Sequence, residues 1–180
     1  MVIDMQEECL DSIERLEQFL ERTASACLAC WAAKPSNRSC APGSAGQRGG
    51  ARQLATHLLN TRDNEHVVIH ELRDFSSNDL HSAFQEIEAV SRGTRATQFM
   101  FSLSLNPPPR EQVTVEAFQA AIAAIEIKLG LDRQPRAIVF HEKEGRRHAH
   151  VVWSRIDTEN MKAINLPHLK LKLQDVARQL

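Results

Sequence analysis

Three histidines in one short stretch, RAIVFHEKEGRRHAHVVWSRID at residues 136–157, have the types and spacing of a metal-ligand set. His148 and His150 are two apart, so on a strand they point to the same face. His141 lies before them, across Glu144-Gly145. Residues 136–142 are apolar and β-branched, and residues 147–156 alternate and then run apolar. Gly145 supplies the positive φ of a tight turn, so the two segments read as a β-hairpin. A turn centred on Glu144-Gly145 sets Lys143 opposite Arg146, Glu142 opposite Arg147 and His141 opposite His148, at a Cβ separation of about 5.5 Å. A three- or five-residue turn shifts the register by one and breaks this pairing. Three converging imidazoles offer three neutral nitrogen donors with open coordination positions, which suits a catalytic divalent metal. The competing reading is a partly buried, hydrogen-bonded strand histidine. That reading is adopted for His57, His66, His70, His81 and His168.

The elements that must position these residues follow from periodicity and punctuation. Residues 2–22 form an amphipathic pattern with Met5, Cys9, Ile13, Leu16 and Leu20 on one stripe, and residues 34–50, rich in Pro, Ser, Gly and Arg, read as a linker. A short helix is predicted over 51–60 with Leu54, Leu58 and Leu59 inward, and a strand over 66–72. Ser76 with Asp79 reads as a capping box opening a helix to Ser91, whose inward residues are Leu80, Phe84, Ile87 and Val90. A strand over 97–105 ends at Asn106 and the prolines that follow. Thr114 caps a helix bearing Val115, Phe118, Ile122, Ile125 and Leu129, with Gly130 as its C′ residue. After the hairpin come a short strand at 161–164 and a final helix from Pro167. Its stripe, Leu166, Leu169, Leu173 and Val176, is still running at Leu180, which suggests a domain cut short there. The whole predicts an α+β fold: a central, mostly antiparallel sheet of about five strands, helices on one side, and the metal site on a central hairpin.

Composition narrows the class. The chain has 180 residues and a net charge of −1, enough for one domain with an appended segment. Residues 1–22 are acidic, whereas residues 133–180 carry Arg133, Arg136, Lys143, Arg146, Arg147, Arg155, Lys162, Lys170, Lys172 and Arg178. A basic region beside a metal site suggests a phosphate-bearing partner; the alternative is a solvated surface. Cys9, Cys27, Cys30 and Cys40 all lie in the first quarter, with no second pair at zinc-ribbon spacing and no disulfide framework. The apolar run at 24–33 is too short to span a membrane, and the segment before it is acidic where a signal peptide is basic. A soluble cytoplasmic protein without membrane insertion is expected.

At these residues the chain resembles the relaxase, or mobilization nuclease, domains of conjugative and mobilizable plasmids, within the His-hydrophobic-His endonuclease superfamily. The resemblance covers roughly residues 47–180. Its most specific part is His141 followed by His148-Ala149-His150 and the apolar Val151-Val152-Trp153. GQRGGARQLATHLLN at 46–60, LSLNP at 103–107 and NLPHLKLKL at 165–173 are also similar to such domains. The resemblance divides the chain into an acidic helix and linker at 1–45, which fit it poorly, and a relaxase-like nuclease domain at 46–180.

The resemblance implies a central antiparallel sheet whose middle strands carry a histidine triad holding one Mg²⁺ or Mn²⁺. It implies a single-stranded DNA substrate at a transfer origin, nicked by a tyrosine to leave a 5′-phosphotyrosyl adduct and a free 3′-OH, and other relaxosome proteins as partners. His141, His148 and His150 match the ligand positions. Arg147 and Arg155 are the candidates for backbone phosphate contacts. Two departures stand out. The chain contains no tyrosine; the region where the family carries it, 52–62, offers Thr56, His57, Asn60 and Thr61. Lys143, flanked by Glu142 and Glu144, stands where an Asp between the histidines is common. Three functions therefore remain open: a metal-dependent nicking endonuclease, a catalytically inactive DNA-binding remnant of one, and an unrelated hydrolase in which a metal activates water.

Overall fold

The computed structural model describes residues 45–62, 64–107 and 113–179. The amphipathic stretch at 2–22, all four cysteines and most of the linker lie outside the described residues. In chain order the elements are β1 (Ala45–Arg48), α1 (Ala51–Leu58), β2 (His66–Arg73), α2 (Leu80–Ser91), β3 (Met100–Leu105), α3 (Val115–Leu129), β4 (Arg136–Lys143), β5 (Arg146–Ser154), β6 (Ile156–Asp157), β7 (Lys162–Ala163) and α4 (Leu169–Gln179). The sheet is antiparallel throughout, in the order β1-β3-β5-β4-β2, so the histidine hairpin β4–β5 occupies its middle.

The fold class is α+β with a five-stranded sheet, but its membership differs from expectation. The strand expected at 161–164 pairs only with β6, in a separate two-stranded ribbon. The fifth strand is β1, drawn from the end of the expected linker and held by pairing with β3. Four residues containing a glycine carry no periodic signal; the neighbouring strand defines them.

Helices cover both faces of the sheet, not one. Phe101, Leu103, Ile138, Phe140, Val151 and Trp153 pack against α3 and α4, while Met100, Ala137, Val139 and Val152 pack against α1 and α2. The unbroken apolar runs of β4 and β5 require this, because alternate residues would otherwise present hydrocarbon to water. Glu126 of α3 stitches one helix layer to the sheet. It is 4% exposed and accepts from Trp153 Nε1 at 2.5 Å, Arg73 Nη2 at 3.0 Å and Arg136 Nη1 at 2.9 Å.

Local signals set the helix ends. Thr114 caps α3, accepting from the Ala117 N–H at 3.3 Å, and Gly130 closes it with φ of 70°. At α2 the cap is Asp79, which accepts from the Ser82 N–H at 2.9 Å. Ser76 is not the cap: its N–H and that of Ser77 donate to the Glu86 carboxylate, a longer reach back from within the helix.

Candidate metal centre

The hairpin register is the one the turn predicts. Lys143 faces Arg146, Glu142 faces Arg147 and His141 faces His148, around a turn in which Glu144 and Gly145 have φ of 52° and 69°. Two successive positive φ angles match the twist of the strands, which is why so short a turn closes this ladder. His150 pairs with Val139 on β4 and Ser104 on β3, which puts it on the same face as His141 and His148.

The three rings converge. Their centroids are 5.2 Å apart for His141–His148, 4.5 Å for His141–His150 and 5.3 Å for His148–His150. One nitrogen from each lies within 4.8 Å of the others. A single cation with ligand bonds of about 2.1 Å fits between them after each ring closes in by less than about 1 Å. The donor chemistry fits as well. Burial is the main cause that holds His148 down to about 4 and His150 down to about 3, with the charge of His141 adding to it. Burial also lowers His141, against the opposing effect of its hydrogen bond to Leu58. All three are therefore neutral near pH 7, with lone pairs free for a cation. His141 Nε2 lies 2.7 Å from the Leu58 carbonyl oxygen. Because a carbonyl only accepts, Nε2 carries the proton and Nδ1 keeps the lone pair.

The two arginines expected to contact DNA have different fates. Arg147 points to the opposite face of the sheet from the triad; it pairs with Glu142 at 3.2 Å and lies over the Phe140 ring at 5.7 Å, still part-exposed at the rim. Arg155 is not placed to reach a phosphate. It is 6% exposed, and its guanidinium donates to the carbonyls of Gln98 at 2.5 Å and Ile164 at 2.6 Å and to Gln47 Oε1 at 2.7 Å. These bonds tie the residue after β7 to β1 and to the segment just before β3.

Lys143 and Arg146, expected only as part of the basic region, share the triad's face by the same alternation that aligns the histidines, and their charges bear on His148. The signal was present in the register. Sequence reading passed over a cavity of about 780 Å³ at the C-terminal end of α1, whose lining includes Arg52, Thr56, His57, Thr61, Arg62 and His81. The sequence alone gives no sign of it, since α1 and α2 meet there only in three dimensions.

A central antiparallel hairpin presenting three converging histidines is the arrangement of a His-hydrophobic-His nuclease domain. Residues 55–180 match the family model described as Relaxase: MobA/VirD2-like, nuclease domain, and the chain belongs to that family. No curated protein and no solved structure gave a match. Membership supports DNA nicking in mobilization and binding to single-stranded DNA. No helix among the described residues is long and apolar enough to cross a membrane.

Proposed function

We propose that this chain is a metal-dependent, site-specific single-stranded DNA endonuclease that nicks a transfer origin in plasmid mobilization or conjugation, acting in the cytoplasm. His141, His148 and His150 hold Mg²⁺ or Mn²⁺. The observation that carries this reading is the convergence of three histidine nitrogens within 4.8 Å, inside the segment that matches the family. A divalent cation bound by neutral ligands keeps its full charge and withdraws electron density from a non-bridging phosphate oxygen.

The chain's own residues do the rest. The Leu58 carbonyl fixes the His141 ring and its tautomer. Lys143 and Arg146, on the triad's face, attract the DNA backbone, and Arg147 receives it at the rim of the sheet. The burial of His150 and His141 keeps water from competing for their lone pairs.

The test is to incubate the chain with a random-sequence pool of single-stranded oligonucleotides and Mn²⁺, then sequence the products. Cleavage at one short common sequence, with a free 3′-OH and none in EDTA, is the expected result. Intact DNA alongside metal binding and salt-dependent DNA binding would instead identify the inactive remnant.

A further inference from the structure

We propose that His57 is the nucleophile of the nicking reaction, so that the DNA 5′ end is carried on a histidine ring nitrogen as a phosphoramidate. The proposal rests on the reading above, that DNA is nicked at the triad. With no tyrosine in the chain, the phenol that would attack is missing and another group must do so.

The described residues around the triad offer few nucleophiles. Thr56 turns its hydroxyl back along α1, donating to the Arg52 carbonyl at 2.9 Å. Ser104 stands opposite His150, yet it is 7% exposed and donates to Asn106 Oδ1 at 3.3 Å. Thr61 lines the cavity but, like any threonine, needs a base to take its proton before it can attack. A neutral imidazole needs no such base, because one ring nitrogen already carries a lone pair.

His57 is also in the right place. It is exposed on the last turn of α1, and its ring makes no hydrogen bond to another described residue. It directly precedes Leu58, whose carbonyl is bonded to His141. It lines the cavity at the C-terminal end of α1. Arg52 and Arg62 on the wall of that cavity offer cations to the phosphates on either side of the scissile one.

The step balances without an outside reactant other than water. The ring lone pair forms a P–N bond as the P–O3′ bond breaks. The 3′ oxygen leaves with its electron pair and takes a proton from water, giving the free 3′-OH. The imidazole then gives up its remaining N–H proton to solvent, so no net proton is consumed. The P–N bond remains open to attack by a 3′-OH, which lets the strand be rejoined when transfer ends.

The experiment uses the full chain, Mn²⁺ and the random single-stranded pool, and traps protein-linked DNA on a denaturing gel. Wild type is expected to form an adduct that acid destroys and alkali spares, the signature of a P–N bond. His57→Ala is expected to lose the adduct while still binding Mn²⁺ as wild type does, and Thr56→Val to keep it. An acid-stable adduct, an adduct that persists in His57→Ala, or nicking that leaves a free 5′-phosphate and no adduct would overturn the assignment while leaving the nicking reading intact. A wild-type chain that binds Mn²⁺ and DNA yet nicks no strand would overturn both.

Discussion

His141 donates from Nε2 to the Leu58 carbonyl oxygen across 2.7 Å, and this bond couples the central strand β4 to the last turn of α1. It satisfies one of the carbonyls that every helix leaves unpaired at its C-terminus. It also fixes which nitrogen of His141 can meet a metal. The triad and the cavity beside α1 are thereby held in one frame.

That coupling makes Leu58 a positioning residue through its packing. Leu58 is fully buried among Ala51, Ala55, Leu80 and Phe84. Leu58→Ala should cost about 2–5 kcal/mol of stability in urea unfolding. As the carbonyl shifts, Mn²⁺ affinity should fall by about 10-fold or more. Affinity unchanged in a folded variant would mean the hydrogen bond does not orient the ligand.

The buried triad sets a pH dependence on the metal-free protein. An exposed histidine takes up its proton near 6.5, but folded His148 does so near 4 and His150 near 3. Between these values the unfolded chain binds more protons than the folded one, so stability rises with pH. The contribution is complete above about 6.5 and is lost as pH falls towards the folded values. Unfolding in urea with a chelator present, measured from pH 7 to pH 4, should show this loss. The His148→Ala, His150→Ala double variant should show less of it, and equal slopes for the two proteins would contradict the assignment.

On the other face, Glu126 holds two arginines and an indole together. Glu126→Ala leaves Arg136 with the Glu71 carboxylate alone and takes the acceptor from the buried Trp153 Nε1. A loss of about 1–3 kcal/mol is expected. Mn²⁺ affinity should not change in the folded variant, because the network and the triad lie on opposite sides of the sheet. Loss of metal binding in parallel with stability would mean the two faces are coupled.

Arg147 and Arg155 should separate cleanly in a salt titration of single-stranded DNA binding. Arg147→Ala should reduce the slope of log affinity against log salt by about 1. Arg155→Lys should leave the slope unchanged and lower stability, since a lysine cannot serve the Gln98, Ile164 and Gln47 oxygens at once. A reduced slope for the Arg155 variant would return that residue to the DNA interface.

The site was legible in the sequence because a hairpin is a local object. Side-chain alternation and a Gly-bearing turn fix which residues face each other, and His141, His148 and His150 fall on one face without help from the rest of the chain. The same holds for α3, where Thr114 and Gly130 mark both ends. What was hidden depends on contacts distant in sequence. Arg155 looks like one more surface cation until β1, β3 and β7 close around it. Val139 and Phe140 look like one buried strand, although they serve two separate cores. The meeting of the Leu58 carbonyl with His141 depends on how α1 packs against the sheet, which periodicity does not give. The missed cover on the second face had a readable sign: central strands apolar at every position need helices on both sides.

We propose that His141, His148 and His150 on the β4–β5 hairpin form one divalent-metal site. Calorimetric titration with Mn²⁺ at neutral pH, on the wild-type chain and on the His148→Ala, His150→Ala double variant, tests it without knowledge of the DNA target. One ion bound per chain, with binding lost in a folded double variant, is the predicted result. A folded wild-type chain that binds no Mn²⁺, or a double variant that binds it as tightly as wild type, would rule out a metal site at the triad.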